Sequence, residues 1–139
     1  MHMETKIYEY LPDEGRAIRE EVFVEEQGFD EEFDEVDARA MHVMAYENGK
    51  PIGVCRFFTK DDGAYWIGRF AVLKEYRGLG VGRLIMDKAE EHIKLLGGTV
   101  LKLSAQTQAQ GFYEKVGFVA EGEVFFEQHC PHREMKKEV

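Results

Sequence analysis

Residues 77–82, Arg77-Gly78-Leu79-Gly80-Val81-Gly82, form the glycine-rich stretch that decides the fold of this chain. The strand-like segment 64–72 precedes this stretch, and apolar residues at helical spacing follow it: Leu84, Ile85, Ala89, Ile93 and Leu96. A strand, a glycine turn and a helix in this order place unpaired backbone N–H groups at a helix N-terminus, which carries roughly half a positive charge. The stretch therefore predicts a site for a phosphate or pyrophosphate group.

The spacing of these glycines argues against two common phosphate-binding motifs. A dinucleotide-binding loop needs G-x-G-x-x-G, whereas here Gly78-x-Gly80 is followed by Gly82 and then by Arg83. A P-loop ends in Gly-Lys-Ser/Thr, which this stretch lacks. A nucleotide-binding module is therefore disfavoured. A left-handed turn that only joins a strand to a helix stays open as an alternative, although one glycine would suffice for it.

Arg77, Gly80 and Gly82 match the pattern (Gln/Arg)-x-x-Gly-x-(Gly/Ala), and through it the chain resembles the GNAT superfamily of N-acetyltransferases. Segment 68–78 looks like the family's fourth strand and the loop after it, and segment 103–118 looks like its next strand and its Tyr-x-x-x-Gly-Phe helix. Segments 19–27 and 131–135 resemble the ElaA-like and YjcF-like branch. The resemblance implies acetyl-CoA as co-substrate and an α/β, single-domain GNAT fold over 1–139, with a mixed sheet of about seven strands and helices on both faces.

Hydrophobic periodicity and turn signals give the order of the elements. Strands are predicted at 7–11, 42–46, 52–58, 64–72, 100–103, 119–126 and 132–136. Helices are predicted at 13–26, from the glycine turn to Gly97-Gly98, and at about 108–116. Asn48-Gly49 predicts a hairpin between the second and third strands.

Composition limits the function classes. The chain has 139 residues and a net charge of −9, which argues against a nucleic-acid surface. The sequence contains no apolar run of 18 residues, so no membrane span is predicted, and no secretory signal is visible. Cys55 and Cys130 predict free thiols in a reduced cytoplasmic setting. Met1-His2-Met3 resembles a cloning remnant, with Met3 as the native start.

The resemblance assigns acetyl-CoA contacts to three places. A bulge in the fourth strand, near Phe70, Ala71 and Val72, would free a backbone N–H for the thioester carbonyl oxygen, although Phe70 and Val72 also fit as core residues. The glycine stretch with Arg83 would hold the pyrophosphate. Gln106, where many relatives have Asn, would contact the pantetheine or order the start of the third helix, although an ordinary polar residue opening that helix is the alternative. Phe112 would contact the cofactor.

Tyr113 matches the tyrosine of the family's helix motif and is the predicted general acid. A phenol has a pKa of about 10 and a thiol about 8.5, so proton transfer to the leaving thiolate is uphill by only ~2 kcal/mol. The alternative is core packing, because Ala109, Phe112, Tyr113 and Val116 form a helical stripe.

The base that deprotonates the acceptor amine is left open among Glu25, Glu26 and His132, with Glu26, Gln27 and His132 as candidate substrate contacts. A purely structural histidine stays an equal alternative for His132. Segment 25–37 carries eight acidic residues: Glu25, Glu26, Asp30, Glu31, Glu32, Asp34, Glu35 and Asp37. Such a run is usually a solvated surface. If it borders the acyl end of acetyl-CoA, its negative field predicts a small cationic amine as acceptor.

The remaining expectations concern a metal, catalytic activity, the acceptor and the oligomeric state. His129, Cys130 and His132 do not have the spacing of a zinc site, so no metal is predicted. A non-catalytic acyl-CoA-binding or regulatory module is the second hypothesis for function; Tyr113 and the intact glycine stretch favour an enzyme. The acceptor is either a small molecule or a protein amine, and a monomer and a homodimer both stay open.

Overall fold

The computed structural model describes residues 2–30 and 33–139, and its centre is one seven-stranded mixed sheet. The strands are β1 (Met3–Tyr8), β2 (Met41–Glu47), β3 (Lys50–Thr59), β4 (Tyr65–Val72), β5 (Val100–Gln106), β6 (Val119–Glu127) and β7 (Cys130–Glu138). Their order across the sheet is β1-β2-β3-β4-β5-β7-β6. Only β4 and β5 run parallel; the other neighbours are antiparallel. Asn48-Gly49 joins β2 to β3 with both residues at positive φ, as the hairpin signal predicts.

Helices cover both faces of the sheet, which confirms the predicted layer arrangement. They are α1 (Asp13–Arg19), a π-helix (Glu20–Glu26), α2 (Val81–Leu95) and α3 (Gln110–Lys115), with short 3₁₀ turns at Glu35–Ala38, Lys74–Tyr76 and Thr107–Ala109. One face packs on α2, where Ile85, Ala89 and Ile93 are fully buried. The other face packs on α1 and the π-helix, through Ile18 and Val22.

The sheet opens between its two parallel strands, and this opening positions the site. Tyr65–Ile67 of β4 pair with Leu101–Leu103 of β5. Past these residues the described register contains no further β4–β5 pair, so the C-terminal halves of the strands diverge. Because α2 follows β4, its N-terminus lies at this same end of the sheet. The carboxyl ends of parallel strands are where α/β folds usually bind ligands.

Some predicted boundaries are wrong at the N-terminal end. The first strand is Met3–Tyr8 rather than 7–11, because Met3 to Tyr8 pair along β2 and Pro12 already serves as the N-cap of α1. The helix predicted for 13–26 is helical throughout, but its second half is a π-helix, which ends with a hydrogen bond from the Gln27 N–H to the Val22 carbonyl, at 3.1 Å. Of the predicted remnant, Met1 lies outside the described residues, whereas Met3 opens β1.

No helix within 2–30 or 33–139 has the length and apolarity that crossing a membrane requires.

Candidate functional site

A cavity of about 370 Å³ lies where β4 and β5 diverge. Its walls come from the π-helix and the residues after it, from β3 and β4, from β5 and α3, and from the β6–β7 hairpin. Five predicted site residues line it: Gln27, Phe70, Gln106, Tyr113 and His132. The fold therefore brings together, in one cavity of ligand size, segments that are up to about a hundred residues apart in the sequence.

The predicted bulge in the fourth strand is present. Val54 of β3 pairs with Ala71 and Arg56 pairs with Gly68, so Arg69 and Phe70 together face Cys55. Arg69 has a φ of +50°, in the left-handed region that side chains other than glycine rarely adopt. A bulge leaves backbone groups outside the ladder, so the predicted location near Phe70 is suited to a backbone donor.

The glycine stretch forms an exposed cradle at the start of α2. Gly78 and Gly80 have φ values of +78° and +85°, and among the described residues no atom beyond the glycine and its two chain neighbours lies within 4 Å of where a Cβ would stand on either residue. The Leu84 N–H donates to the Gly80 carbonyl, at 3.1 Å. Helix geometry thus leaves the N–H groups of Val81, Gly82 and Arg83 unbonded within the helix. This arrangement fits a pyrophosphate, as the sequence predicts.

Gly82 has a packing role that the sequence did not reveal. A Cβ on Gly82 would lie 3.0 Å from the Phe112 ring. Phe112 in turn packs against Phe70 and Tyr113, with ring centroids 5.9 and 5.1 Å away. The predicted contact residue Phe112 thus joins the first turn of α2 to the bulge, and a side chain at position 82 would require the Phe112 ring to shift by a few tenths of an ångström.

Arg77 and Glu26 form a bidentate ion pair. The two guanidinium nitrogens of Arg77 lie 2.6 and 2.8 Å from the Glu26 carboxylate oxygens, and Arg77 Nε donates to the Val72 carbonyl. Hydrogen bonding by Arg77 holds the pKa of Glu26 below its ordinary value. The pair ties the end of the π-helix to the glycine stretch, a link between two predicted contact residues that spacing alone could not indicate.

Gln106 and Gln27 are also linked across the cavity. Gln106 Nε2 donates to Gln27 Oε1 at 2.7 Å, and Gln108 donates to Gln106 Oε1. Both predicted residues therefore lie in the cavity wall, with the Gln106 amide bound to protein.

Tyr113 faces the cavity from an aromatic cluster. Its ring makes edge contacts with Phe70, Phe112 and Phe118, at centroid distances of 6.0, 5.1 and 6.1 Å. Burial, with a smaller contribution from the Cys55 thiol, raises the pKa of Tyr113 above its ordinary value. The phenol therefore stays protonated throughout the neutral pH range. Packing and a proton-donor role are compatible in this position.

His132 is buried in the cavity wall on β7, with 5% of its surface exposed. Its Nδ1 lies 2.9 Å from the Cys130 carbonyl oxygen, and its ring stacks on Phe125. Its Nε2 lies 3.8 Å from a Glu127 carboxylate oxygen, and Glu127 also lines the cavity.

The predicted negative field of segment 25–37 is not what the cavity presents. Glu31 and Glu32 lie outside the described residues, and none of the run's other six acidic residues lines the cavity. The charged residues of the described lining are Arg56, Lys60, Arg69, Glu127 and, when protonated, His132. The charge argument for a small cationic acceptor therefore loses its basis.

Asp34 and Asp37 instead belong to an ion-pair cluster beneath the cavity. Asp37 binds Arg19 at 2.8 Å and Arg56 at 2.9 Å, while Asp34 binds Arg56 at 2.7 Å and Arg69 at 3.3 Å. Asp34 and Asp37 also form a reciprocal capping box. The spacing Asp-x-x-Asp is the one signal in the run that could have distinguished these carboxylates from a solvated surface.

Sequence reasoning missed other lining residues. Arg56, Phe58, Lys60, Trp66 and Glu127 line the cavity without belonging to any recognised sequence motif of the site, and Arg69 lies in segment 68–78 but is not among the predicted site residues. Cys55 and Cys130 are free and buried, as predicted. Within the described ranges, no three His, Cys, Asp or Glu residues are grouped as metal ligands.

Comparison with known proteins agrees with this architecture. Residues 9–139 match the family described as "Acetyltransferase (GNAT) domain". The chain is 40% identical over 124 residues to YjcF of Bacillus subtilis, described as an uncharacterized N-acetyltransferase, with 87% of this chain and 88% of YjcF covered. Two crystal structures superpose with a TM-score of 0.85: an acyl-CoA N-acyltransferase from Pseudomonas aeruginosa, 29% identical over 98% of this chain and 99% of that one, and Escherichia coli ElaA, 28% identical over 99% and 100%.

The family match spans nearly the whole chain, the YjcF identity exceeds what the fold alone explains, and the cavity lies where the GNAT resemblance places the reacting groups. The chain therefore belongs to the GNAT acetyltransferase family, in its ElaA-like and YjcF-like branch, and is an acyltransferase.

Proposed function

We propose that this protein transfers the acetyl group of acetyl-CoA to a primary amine by direct attack, with Tyr113 as the general acid. The observation that carries this proposal is the divergence of β4 and β5 beside a strand bulge, where Phe70 and Tyr113 line one cavity. Gly82, in the first turn of α2, lies next to the Phe70 and Phe112 rings. Acetyl-CoA supplies the thioester. A backbone N–H near Phe70 would polarise the thioester carbonyl, and the cradle at 78–83 would hold the pyrophosphate.

Tyr113 suits the departure of the thiolate in spite of its raised pKa. The thiolate would leave into the same apolar surroundings, where burial raises its own pKa for the same reason. The proton therefore passes between two groups whose acidities shift in the same direction.

Thiol release on mixing enzyme, acetyl-CoA and a panel of primary amines tests the function directly. Amine-dependent release, with one acetylated product per thiol, supports the proposal. Acetyl-CoA binding without release for small amines, for peptides with free lysines and for peptides with free N-termini would contradict it.

Arg77→Ala is expected to weaken acetyl-CoA binding by roughly ten- to hundredfold, because a charge-assisted phosphate bond contributes about 1.5–3 kcal/mol. Glu26→Gln is the matched variant, since it removes the carboxylate that holds Arg77 in place. If Arg77 binds phosphate, Glu26→Gln keeps or increases the affinity measured by calorimetry. Equal losses in both variants would instead assign Arg77 to the ion pair alone.

The acceptor is expected to carry an acidic group away from its amine. Three basic side chains line the cavity, Arg56 on β3, Lys60 directly after β3 and Arg69 on β4. The Lys60 ammonium lies 3.7 Å from the centroid of the Trp66 ring. Lys60 contacts no carboxylate among the described ion pairs. An amine with a distal carboxylate should therefore have a lower KM than the diamine or the carboxamide of equal length.

Lys60→Gln should abolish that preference. Lys102→Gln is its control, because Lys102 lies 5.7 Å from the same ring, pairs with Asp62 and does not line the cavity. If the diamine remains the better acceptor at every ionic strength, the cavity cations do not select the acceptor. The hypothesis of a cationic acceptor, which the acidic run suggested, would then be favoured again.

A further inference from the structure

The two carboxylates of the acidic run that are candidate bases are poorly placed for that role. Glu25 is exposed and does not line the cavity. Glu26 is held by both terminal nitrogens of Arg77, which lowers its pKa and makes it a weaker base. Of the three candidates, only His132 is both buried and in the cavity wall.

The hydrogen bond at Nδ1 fixes the tautomer of His132. A carbonyl oxygen can only accept, so the 2.9 Å contact with the Cys130 carbonyl requires the proton of the neutral ring to be on Nδ1. Nε2 is then left with its lone pair free. The stacked Phe125 ring packs against the imidazole in this orientation.

Glu127 lies next to the free nitrogen of the ring. Its carboxylate oxygen is 3.8 Å from Nε2, which is too far for a hydrogen bond to the neutral ring but within ion-pair distance of a protonated one. The other ionisable groups of the cavity lining are Tyr113 on α3 and the cations Arg56, Lys60 and Arg69 on the β3–β4 side. The lining residues from β5 and from the π-helix with the segment after it carry no charge: Ser104, Gln106, Phe23, Gln27 and Phe29.

We propose that His132 Nε2 is the general base of the transfer and that Glu127 is its positioning residue. This inference rests on the proposed function. As the amine nitrogen bonds to the thioester carbon, the carbonyl electron pair moves to oxygen and Nε2 takes one proton from that nitrogen. The carbonyl then re-forms, the C–S bond breaks with its electron pair on sulfur, and Tyr113 protonates the thiolate. The imidazolium proton finally replaces the one that Tyr113 gave up, so no proton is gained or lost overall.

His132→Asn tests the base, because the Asn amide N–H₂ can keep the bond to the Cys130 carbonyl while Nε2 is lost. With the fastest amine of the panel, kcat/KM at pH 7.5 is expected to fall about 10²–10⁴-fold. The fall in rate at low pH that is caused by an enzyme group, the enzyme's acid limb of the pH–rate profile, is expected to disappear. Added imidazole should restore part of the rate. Measuring the profile with two acceptors whose amines differ in pKa distinguishes this limb from the titration of the acceptor. A limb caused by the acceptor amine shifts when the acceptor is changed, whereas the enzyme's limb stays in place.

Glu127→Gln should move the enzyme's acid limb to lower pH, because it removes the charge that stabilises the imidazolium, whereas a merely structural role would leave the limb in place. His129→Asn is the control, since His129 lies in the adjacent turn outside the cavity lining, and both its rate and its profile should be unchanged. A His132→Asn enzyme with the wild-type rate and profile would overturn the proposal.

A measurement without any acceptor keeps the proposal testable if no panel amine reacts. Nitrogen-15 NMR of the ring should show the neutral His132 with its proton on Nδ1 and none on Nε2. A neutral ring protonated on Nε2 would overturn the base assignment. Absence of amine-dependent thiol release in the wild type would count against the proposed function instead.

Discussion

Replacing Tyr113 by Phe is expected to lower kcat by about 10²–10⁴ while leaving the thermal unfolding midpoint almost unchanged. The variant keeps the ring and therefore its edge contacts with Phe70, Phe112 and Phe118, and loses only the hydroxyl. If that hydroxyl delivers the proton to the thiolate, the chemical step slows without any loss of packing. Thiol release with the fastest amine of the panel measures the effect.

Two controls separate this expectation from a general effect of the substitution. Acetyl-CoA affinity by calorimetry should be unchanged in Tyr113→Phe, because the hydroxyl is assigned to the transition state rather than to binding. Tyr65→Phe removes a hydroxyl from a tyrosine that packs on Phe57 outside the cavity, and should keep full activity. A full rate in Tyr113→Phe would return Tyr113 to the core and leave water as the acid.

The parts of the site that depend on backbone geometry could be predicted from the sequence. The glycine stretch has to adopt positive φ, and strand, turn and helix follow one another without interruption, so the cradle at the α2 N-terminus is a local property of residues 64–96. The bulge near Phe70 and the placement of Tyr113 came from the resemblance to the GNAT family. Their presence in one cavity depends on the divergence of β4 and β5, which no local pattern specifies.

The electrostatic character of the cavity could not be predicted, because it depends on which charges meet. Asp34 and Asp37 look like members of a solvated acidic run until β3 and α1 bring Arg56 and Arg19 to them. Glu26 likewise meets Arg77 across 51 residues of sequence. A net charge of −9 therefore says little about the sign of the residues that line the site.

The left-handed Arg69 and the π-helix were also beyond the reach of the sequence. Arginine has no preference for positive φ, so only the opposing register of β3 identifies the bulge at that residue. The π-helix buries Val22 and Phe23, as an amphipathic α-helix would, and its i→i−5 hydrogen bonds leave no signal in the apolar pattern of the sequence. Both features border the cavity, where departures from regular backbone geometry are commonly found.

Asp37→Asn is expected to cost about 3–5 kcal/mol of unfolding free energy, because removing one partner of a buried ion pair is strongly destabilising. Asp37 is 9% exposed and binds the fully buried Arg19 with both carboxylate oxygens, at 2.8 and 3.1 Å, as well as Arg56 at 2.9 Å. Removing its charge leaves two buried guanidinium groups without this counter-charge. Chemical denaturation measures the loss, and Glu35→Gln, an exposed neighbour in the same 3₁₀ turn, should change stability by no more than about 0.5 kcal/mol.

The same carboxylate should make the folded state sensitive to acid. Burial alone would raise the pKa of Asp37, but hydrogen bonds and charge from Arg19 and Arg56 outweigh it and lower the pKa from 3.8 to about 2. Because the folded-state pKa is depressed, its contribution of about 2–3 kcal/mol is complete above pH 4 and is lost as the pH falls from about 4 towards 2. The wild type should lose this increment over that range, and Asp37→Asn should not. Parallel acid-denaturation curves for the two proteins would mean that the buried cluster does not control acid stability, and would assign the transition to other carboxylates.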